Sequence, residues 1–263
     1  MTGPVPVIAL PGKPTDGAGL MGWKYFLHSV RMVLDNLGVA LRLSAVLYMV
    51  QMALTVFVFV SPGGADPTQQ TPEAAGELLI LMVFSLIASL WIAVGWHRFV
   101  LTQEPPAGIV PRWHGPELLR YFGRSLLIAL LLVAGGAVIG GLVLGVASQV
   151  PALAGLAIFG LVGLGSYVFF RVGLVLPAAA LGRSLTMRES WAATGRDSTA
   201  LLQLALIVMA GQFLIEIPGM IDGDAGGPIA LIYDLVINWF VTMFGVSLLT
   251  TLYGVFIENR RID

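Results

Sequence analysis

Residues 78–96 read LLILMVFSLIASLWIAVGW, nineteen residues with no charge and no proline. As a helix this stretch rises about 28 Å, close to the ~30 Å of hydrocarbon in a bilayer. It is a continuous apolar run, not a period-2 alternation, so it reads as a spanning helix and not as a barrel strand. Five flanking stretches share its character. Together the six cover about 39–60, 78–96, 125–147, 152–176, 200–217 and 229–257. The first holds Arg42 in its opening turn and Gln51 inside, the fourth meets Arg171, the fifth runs into Glu216, and the sixth holds Asp234 and Asn238. The expected fold class is all-α: a polytopic helical membrane protein with six transmembrane helices.

Composition agrees. Of 263 residues, 57 % are hydrophobic and 11 % charged. Soluble domains hold roughly 45–50 % and about 25 %. A water-soluble surface cannot be covered with so little polar material. Fourteen Lys and Arg against fifteen Asp and Glu give a net charge of −1, not the basic balance of a nucleic-acid binder. Cysteine is absent, which excludes thiol catalysis, cysteine-ligated zinc, iron–sulfur clusters and covalent c-type haem. No cofactor is expected.

Residues 1–17 carry four prolines and one lysine, and the first apolar run starts late and runs long. The segment reads as a flexible leader, not a cleaved signal peptide. Residues 18–263 then form a single six-span membrane domain.

The basic residues set an orientation. Lys13, Lys24, Arg31 and Arg42 lie before or at the start of the first span. Arg98, Arg112, Arg120 and Arg124 follow the second, Arg171, Arg183, Arg188 and Arg196 follow the fourth, and Arg260 and Arg261 follow the sixth. That accounts for all fourteen. The alternate links 61–77, 148–151 and 218–228 carry only acids: Asp66, Glu73, Glu77, Asp222 and Asp224. The positive-inside rule places both termini in the cytoplasm, and a bacterial inner membrane is the expected location. Arg42 reads as a snorkelling anchor.

Each odd-numbered span has a lead-in. Trp23, Phe26, Leu27, Val30, Leu34 and Leu37 fall at helical spacing, with Lys24, His28, Arg31 and Asp35 opposite, the pattern of a helix lying in the interface. Residues 116–124 are a shorter version that starts at Pro116. Thr186-Met187-Arg188-Glu189 has the form of a capping box. The chain thus reads as three units, each an amphipathic helix followed by a hairpin.

The unit starts, and the phrase from Arg171 through Leu176-Pro177-Ala178-Ala179-Ala180-Leu181-Gly182-Arg183-Ser184-Leu185-Thr186 to Ser190-Trp191-Ala192-Ala193-Thr194, resemble poorly characterised bacterial six-span proteins. These are similar to the membrane domain of some glycerophosphodiester phosphodiesterases. The resemblance implies a six-span membrane fold. It brings no catalytic residues, because that domain offers none to carry over. No stretch here reads as the soluble catalytic barrel of about 250 residues, so hydrolase activity is not implied.

Three groups of residues are candidates for chemistry. Arg98, Arg171 and Arg183 each follow an even-numbered span and are candidates for an anionic headgroup pocket. Glu216, Asp234 and Asn238, with Gln51, Gln203 and Gln212, are polar groups inside apolar runs; they suit interhelix hydrogen bonding or a path through the membrane. Loop 96–124 holds His97, Glu104 and His114, a possible acid–base or metal set if they converge, though its prolines and lack of i,i+4 pairing favour an interfacial loop. Gly136/Gly140 and Gly141/Gly145 suggest that spans 3 and 4 pack backbone to backbone through the short link Gln149-Val150-Pro151. No GxxxxGK[ST] or GxSxG motif is present. The expected function is that of a non-enzymatic scaffold or accessory protein among membrane lipids, with protein partners of unknown identity and no nucleic acid. A small transporter or channel, and a headgroup enzyme at the cytoplasmic face, are the alternatives.

Overall fold

The computed structural model describes residues 21–60, 71–106, 108–147, 154–222 and 227–262. The 1–17 leader, the link at Gln149-Val150-Pro151 and most of the acidic links lie outside these residues. The described chain forms nine α-helices and no strand: α1 Met21–Asp35, α2 Leu37–Val60, α3 Pro72–Thr102, α4 Gly115–Ala147, α5 Ala154–Val172, α6 Val175–Ala180, α7 Met187–Thr194, α8 Ser198–Asp222 and α9 Pro228–Phe256. Six of these regions are long and apolar enough to cross a membrane. Large side chains point away from the bundle along their length, with Leu142 70 %, Leu156 75 % and Ile229 79 % exposed. A surface so apolar belongs in lipid.

The helices overrun the expected spans. α3 has 31 residues and α4 has 33, about 46 and 50 Å, so both project past ~30 Å of hydrocarbon. The segment read as an irregular loop from 96 to 124 is therefore irregular only between α3 and α4. His97 and Arg98 lie on α3, and 116–124 is the first part of α4.

The long helices form two leaves. α2, α3 and α9 pack on one another, and α5 packs between α4 and α8. The leaves meet at the end where the arginines lie, through three bridges: α1 against α8 and α9, α6 against α3, α4 and α9, and α3 against α4. All three expected lead-ins are present, but the units are not alike. α8 and α9 are consecutive, yet they sit in different leaves and do not pack along each other. One link across the gap is the Tyr233 hydroxyl, which donates to the Ile215 carbonyl at 3.2 Å. The gap contains an apolar cavity of about 540 Å3, with Tyr121, Phe169, Leu176, Val208, Thr242 and Leu249 among its walls.

Polar side chains join helices within and between leaves, as expected where lipid provides no hydrophobic drive. Gln51 of α2 donates to Ser89 of α3. Trp239 Nε1 donates to Ser44 Oγ at 2.8 Å, and the Tyr48 hydroxyl donates to the Leu235 carbonyl at 2.6 Å.

α1 is amphipathic, as expected, and docks on the bundle along a third stripe, distinct from both its large apolar face and its charged one. Its buried stripe is Gly22, Tyr25, Ser29 and Val33, while Trp23 and Leu34 are 42 % and 49 % exposed. Ser29 Oγ donates to the Tyr25 carbonyl at 2.8 Å and accepts from Thr251 Oγ1 at 2.9 Å, and the Gly22 amide donates to Gln203 Oε1 at 3.2 Å. Tyr25 reaches Asp197 at 3.5 Å; burial first, then that carboxylate, pushes its phenol up to about 12. The large apolar face is thus left for the membrane surface.

The glycine expectation is corrected. α4 and α5 do pack together, but a Cβ at Gly136, Gly141 or Gly145 would meet nothing within 4 Å, and one at Gly140 would only touch Leu161 Cδ1 at 3.6 Å. The close glycine approach is elsewhere. A Cβ at Gly22 would lie 2.6 Å from the Ala200 carbonyl and 2.8 Å from the Leu204 amide of α8. Backbone cannot yield as a side chain can. Gly22→Ala is therefore expected to push α1 off α8 and cost about 1–3 kcal/mol. Gly136→Ala is expected to match or exceed the parent, since it adds helix propensity of up to ~1 kcal/mol with no clash. Melting in detergent checks both.

Candidate functional site

The polar groups of the chain are concentrated where the leaves join. α6 makes this possible. All six of its residues are buried. Pro177 sits in its first turn, where a missing N–H costs nothing. It closes with a Schellman pattern: the Gly182 amide donates to Ala179 at 3.0 Å and the Arg183 amide to Ala178 at 2.9 Å. Gly182 takes φ +71°, a conformation glycine adopts without strain.

Arg171, on the last turn of α5, is 6 % exposed and has no carboxylate partner among the described residues. It is held by neutral groups. Nε donates to Thr194 Oγ1 at 3.0 Å, Nη1 to the Tyr167 hydroxyl at 2.7 Å and Nη2 to the Trp191 carbonyl at 2.9 Å. Its guanidinium lies 4.1 Å from the Trp191 ring centroid and 5.6 Å from that of Tyr167. The Arg171 carbonyl in turn accepts from Ser190 Oγ at 2.7 Å. Both ends of this residue grip α7, which starts with the expected capping box: Thr186 Oγ1 accepts from the Glu189 amide at 3.2 Å, and Glu189 accepts from the Thr186 amide at 2.7 Å.

The three arginines expected to share a headgroup pocket do not converge. Arg98 donates to Glu104 at 2.7 Å and to the Ala180 carbonyl at 3.2 Å. Arg183 donates to Glu258 at 2.7 Å and to the Tyr253 hydroxyl at 3.3 Å; these bonds, Tyr253's first, hold its pKa above the ordinary guanidinium value. Each is committed to a separate internal bond.

The His97–Glu104–His114 set is split. Glu104 and His114 do meet, with His114 Nε2 3.2 Å from the Glu104 oxygen that Arg98 leaves open. His97 is elsewhere, fully buried between α4 and α9. Its Nδ1 is 2.8 Å from Thr250 Oγ1 and its Nε2 is 3.4 Å from the Tyr121 hydroxyl. Thr250 spends its own proton on the Val246 carbonyl at 2.8 Å. It must therefore accept from Nδ1–H, and Nε2 is left to accept from Tyr121. One ring thus links α3, α4 and α9. A reading based on apolar runs passes over Tyr121 and Thr250, because lone hydroxyls hardly change such a run.

Glu216, Asp234 and Asn238 are exposed, with no hydrogen-bond or ion-pair partner among the described residues. Asn238 and Asp234 lie one and two i,i+4 steps along α9 from Thr242, which lines the apolar cavity. Gln212 and Glu216 stand in the same relation to Val208 on α8.

In comparisons with protein-family models, curated proteins and solved structures, nothing matches the chain. The site must be read from its own geometry.

Arg171→Lys keeps the charge but loses the planar fork and the ring stacking. It is expected to cost on the order of 2 kcal/mol, the worth of one or two hydrogen bonds to a charged group. Hydrogen exchange should rise over 186–197 before it rises elsewhere. Parent-like protection there would show that α7 is held by other means.

Proposed function

We propose that this is a non-enzymatic multi-pass protein of a cell membrane, both termini cytoplasmic, that serves as a scaffold or accessory protein among lipids. A bacterial inner membrane fits the distribution of arginine. The supporting observation is how the reactive side chains are used. His97 is sealed between two hydroxyls, Arg171 is caged by two rings, two hydroxyls and one carbonyl, and Glu104 is shared by Arg98 and His114. Groups able to do acid–base work are bonding helices together instead. The resemblance to phosphodiesterase membrane domains enters this reading as one of architecture, without their hydrolysis.

Full-length protein incubated with phospholipid vesicles is expected to release no headgroup phosphate ester above buffer. Release that disappears in Glu104→Gln would instead support the headgroup-enzyme alternative.

One observation favours a second reading, a transporter. Exposed polar groups continue at i,i+4 steps from two cavity-lining residues, Gln212 and Glu216 from Val208 on α8 and Asn238 and Asp234 from Thr242 on α9. A panel of single cysteines separates the readings on a chain that has none of its own. Thr68→Cys, Gln149→Cys and Gly226→Cys are expected to react with an impermeant thiol reagent from outside sealed cells. Gly17→Cys, Gly108→Cys and Ser198→Cys are expected not to. Labelling of Gly108→Cys would overturn the orientation. Labelling of Thr242→Cys from outside would mean water in the gap and would favour transport.

A further inference from the structure

A second cavity, of about 510 Å3, lies at the arginine-rich end between α1, the end of α3 and the segment after α9. That volume is within the roughly 300–1,000 Å3 of small-molecule sites. Its ionisable lining comes from opposite ends of the sequence: His28, Arg31 and Asp35 of α1, and Arg260 and Arg261 after α9. Arg260 is already in use. It donates to Glu258 at 2.7 Å and to the Leu101 carbonyl at 2.8 Å, and so closes the wall. Arg31 and Arg261 have no acidic partner among the described residues, and Asp35 has no basic one. Arg31 and Asp35 are one turn apart on α1, a spacing at which opposite charges can pair, yet they form no ion pair. Among the described residues, the cavity thus presents two guanidinium groups without an acidic partner and one carboxylate without a basic partner, at the end where lipid headgroups lie. Met32, Val100 and Val255 give it an apolar wall as well.

We propose that this cavity binds a zwitterionic phosphate ester, the phosphoethanolamine headgroup of a membrane lipid, with Arg31 and Arg261 on the phosphate and Asp35 on the ammonium. Guanidinium forks match phosphate oxygens and form charge-assisted hydrogen bonds. A primary ammonium has protons for Asp35. A choline group has none, and a phosphatidylglycerol headgroup has no cation. A multiply charged anion would meet the Asp35 carboxylate and be disfavoured. The apolar wall suits the glycerol and first methylenes of a lipid better than a soluble ester. The inference rests on the lipid-associated reading above, but not on its orientation.

The test uses the full-length chain, stripped of lipid in a neutral detergent. Native mass spectrometry reads its retention from an equimolar mixture of phosphatidylethanolamine, phosphatidylglycerol and phosphatidylcholine with identical acyl chains. Phosphatidylethanolamine is expected to exceed phosphatidylcholine by about ten-fold, the worth of one charge-assisted hydrogen bond. Arg31→Gln with Arg261→Gln should lower its retention by at least as much. Asp35→Asn should erase its preference over phosphatidylglycerol, lowering retention of phosphatidylethanolamine and not that of phosphatidylglycerol. Arg188→Gln, an exposed arginine outside the cavity, should behave as the parent, and each variant is compared at parent-like melting temperature. Undiminished phosphatidylethanolamine retention in the folded double arginine variant would overturn the site. Stabilisation of lipid-free protein by soluble phosphoethanolamine, without any headgroup preference among lipids, would overturn the lipid as occupant. A micelle has no inside or outside. A failed cysteine-labelling result would therefore remove the orientation and leave this result standing, and the reverse also holds.

Discussion

Everything at the packed end of this protein depends on burying a short helix. α6 offers a six-residue backbone to surroundings without water, where every N–H and C=O needs a partner. Its own turns, the proline in the first turn and the Schellman closure at Gly182 satisfy those groups. That leaves its side chains free to fill the space between α3, α4 and α9. Arg98 then reaches in to bond the Ala180 carbonyl, and Arg183 leaves toward Glu258. Without this plug the leaves would lose one of the three main bridges that join them.

Much of the architecture is legible in the sequence because it follows from local rules. Uncharged runs of about twenty residues become helices, Thr186 and Glu189 cap α7 as their spacing requires, and Gln51 finds a polar partner on the next helix. The misread features depend on distant partners. His97 falls just beyond an apolar window that closes at Trp96, yet the helix continues to Thr102, and Arg98 within it pairs with Glu104 just past its end. Glycine spacing on α4 points to a tight seam, but a seam needs an opposing backbone, and that approach occurs instead at Gly22. Pairing of consecutive spans is a natural default. It fails for α8 and α9 because α8 packs on α5 while α9 packs on α2 and α3.

The candidate site divides in the same way. Glu216, Asp234 and Asn238 stand out in sequence because a charge or amide in an apolar run is conspicuous. Arg31, Asp35 and Arg261 do not, because charges beside span ends are ordinary anchors. Only the fold shows that chain segments more than two hundred residues apart enclose one cavity. The arginines first singled out were visible by position, but their partners, Glu104, Thr194 and Glu258, were not.

The division into leaves also sets an order of events during synthesis. α2 and α3 are made early, but the helix that completes their leaf is made last. His97 and Thr250 are separated by 153 residues, and Ser29 and Thr251 by 222. At ~5–20 residues per second, His97 waits about 8–30 s for its hydroxyl acceptor. During that interval an imidazole and a serine stand in a nascent bundle with their final partners still unmade. A chain stopped before α9 would keep both exposed indefinitely. Such a fragment would carry an imidazole without its acceptor at the membrane boundary, a mark by which membrane quality control can distinguish an unfinished copy from a finished one.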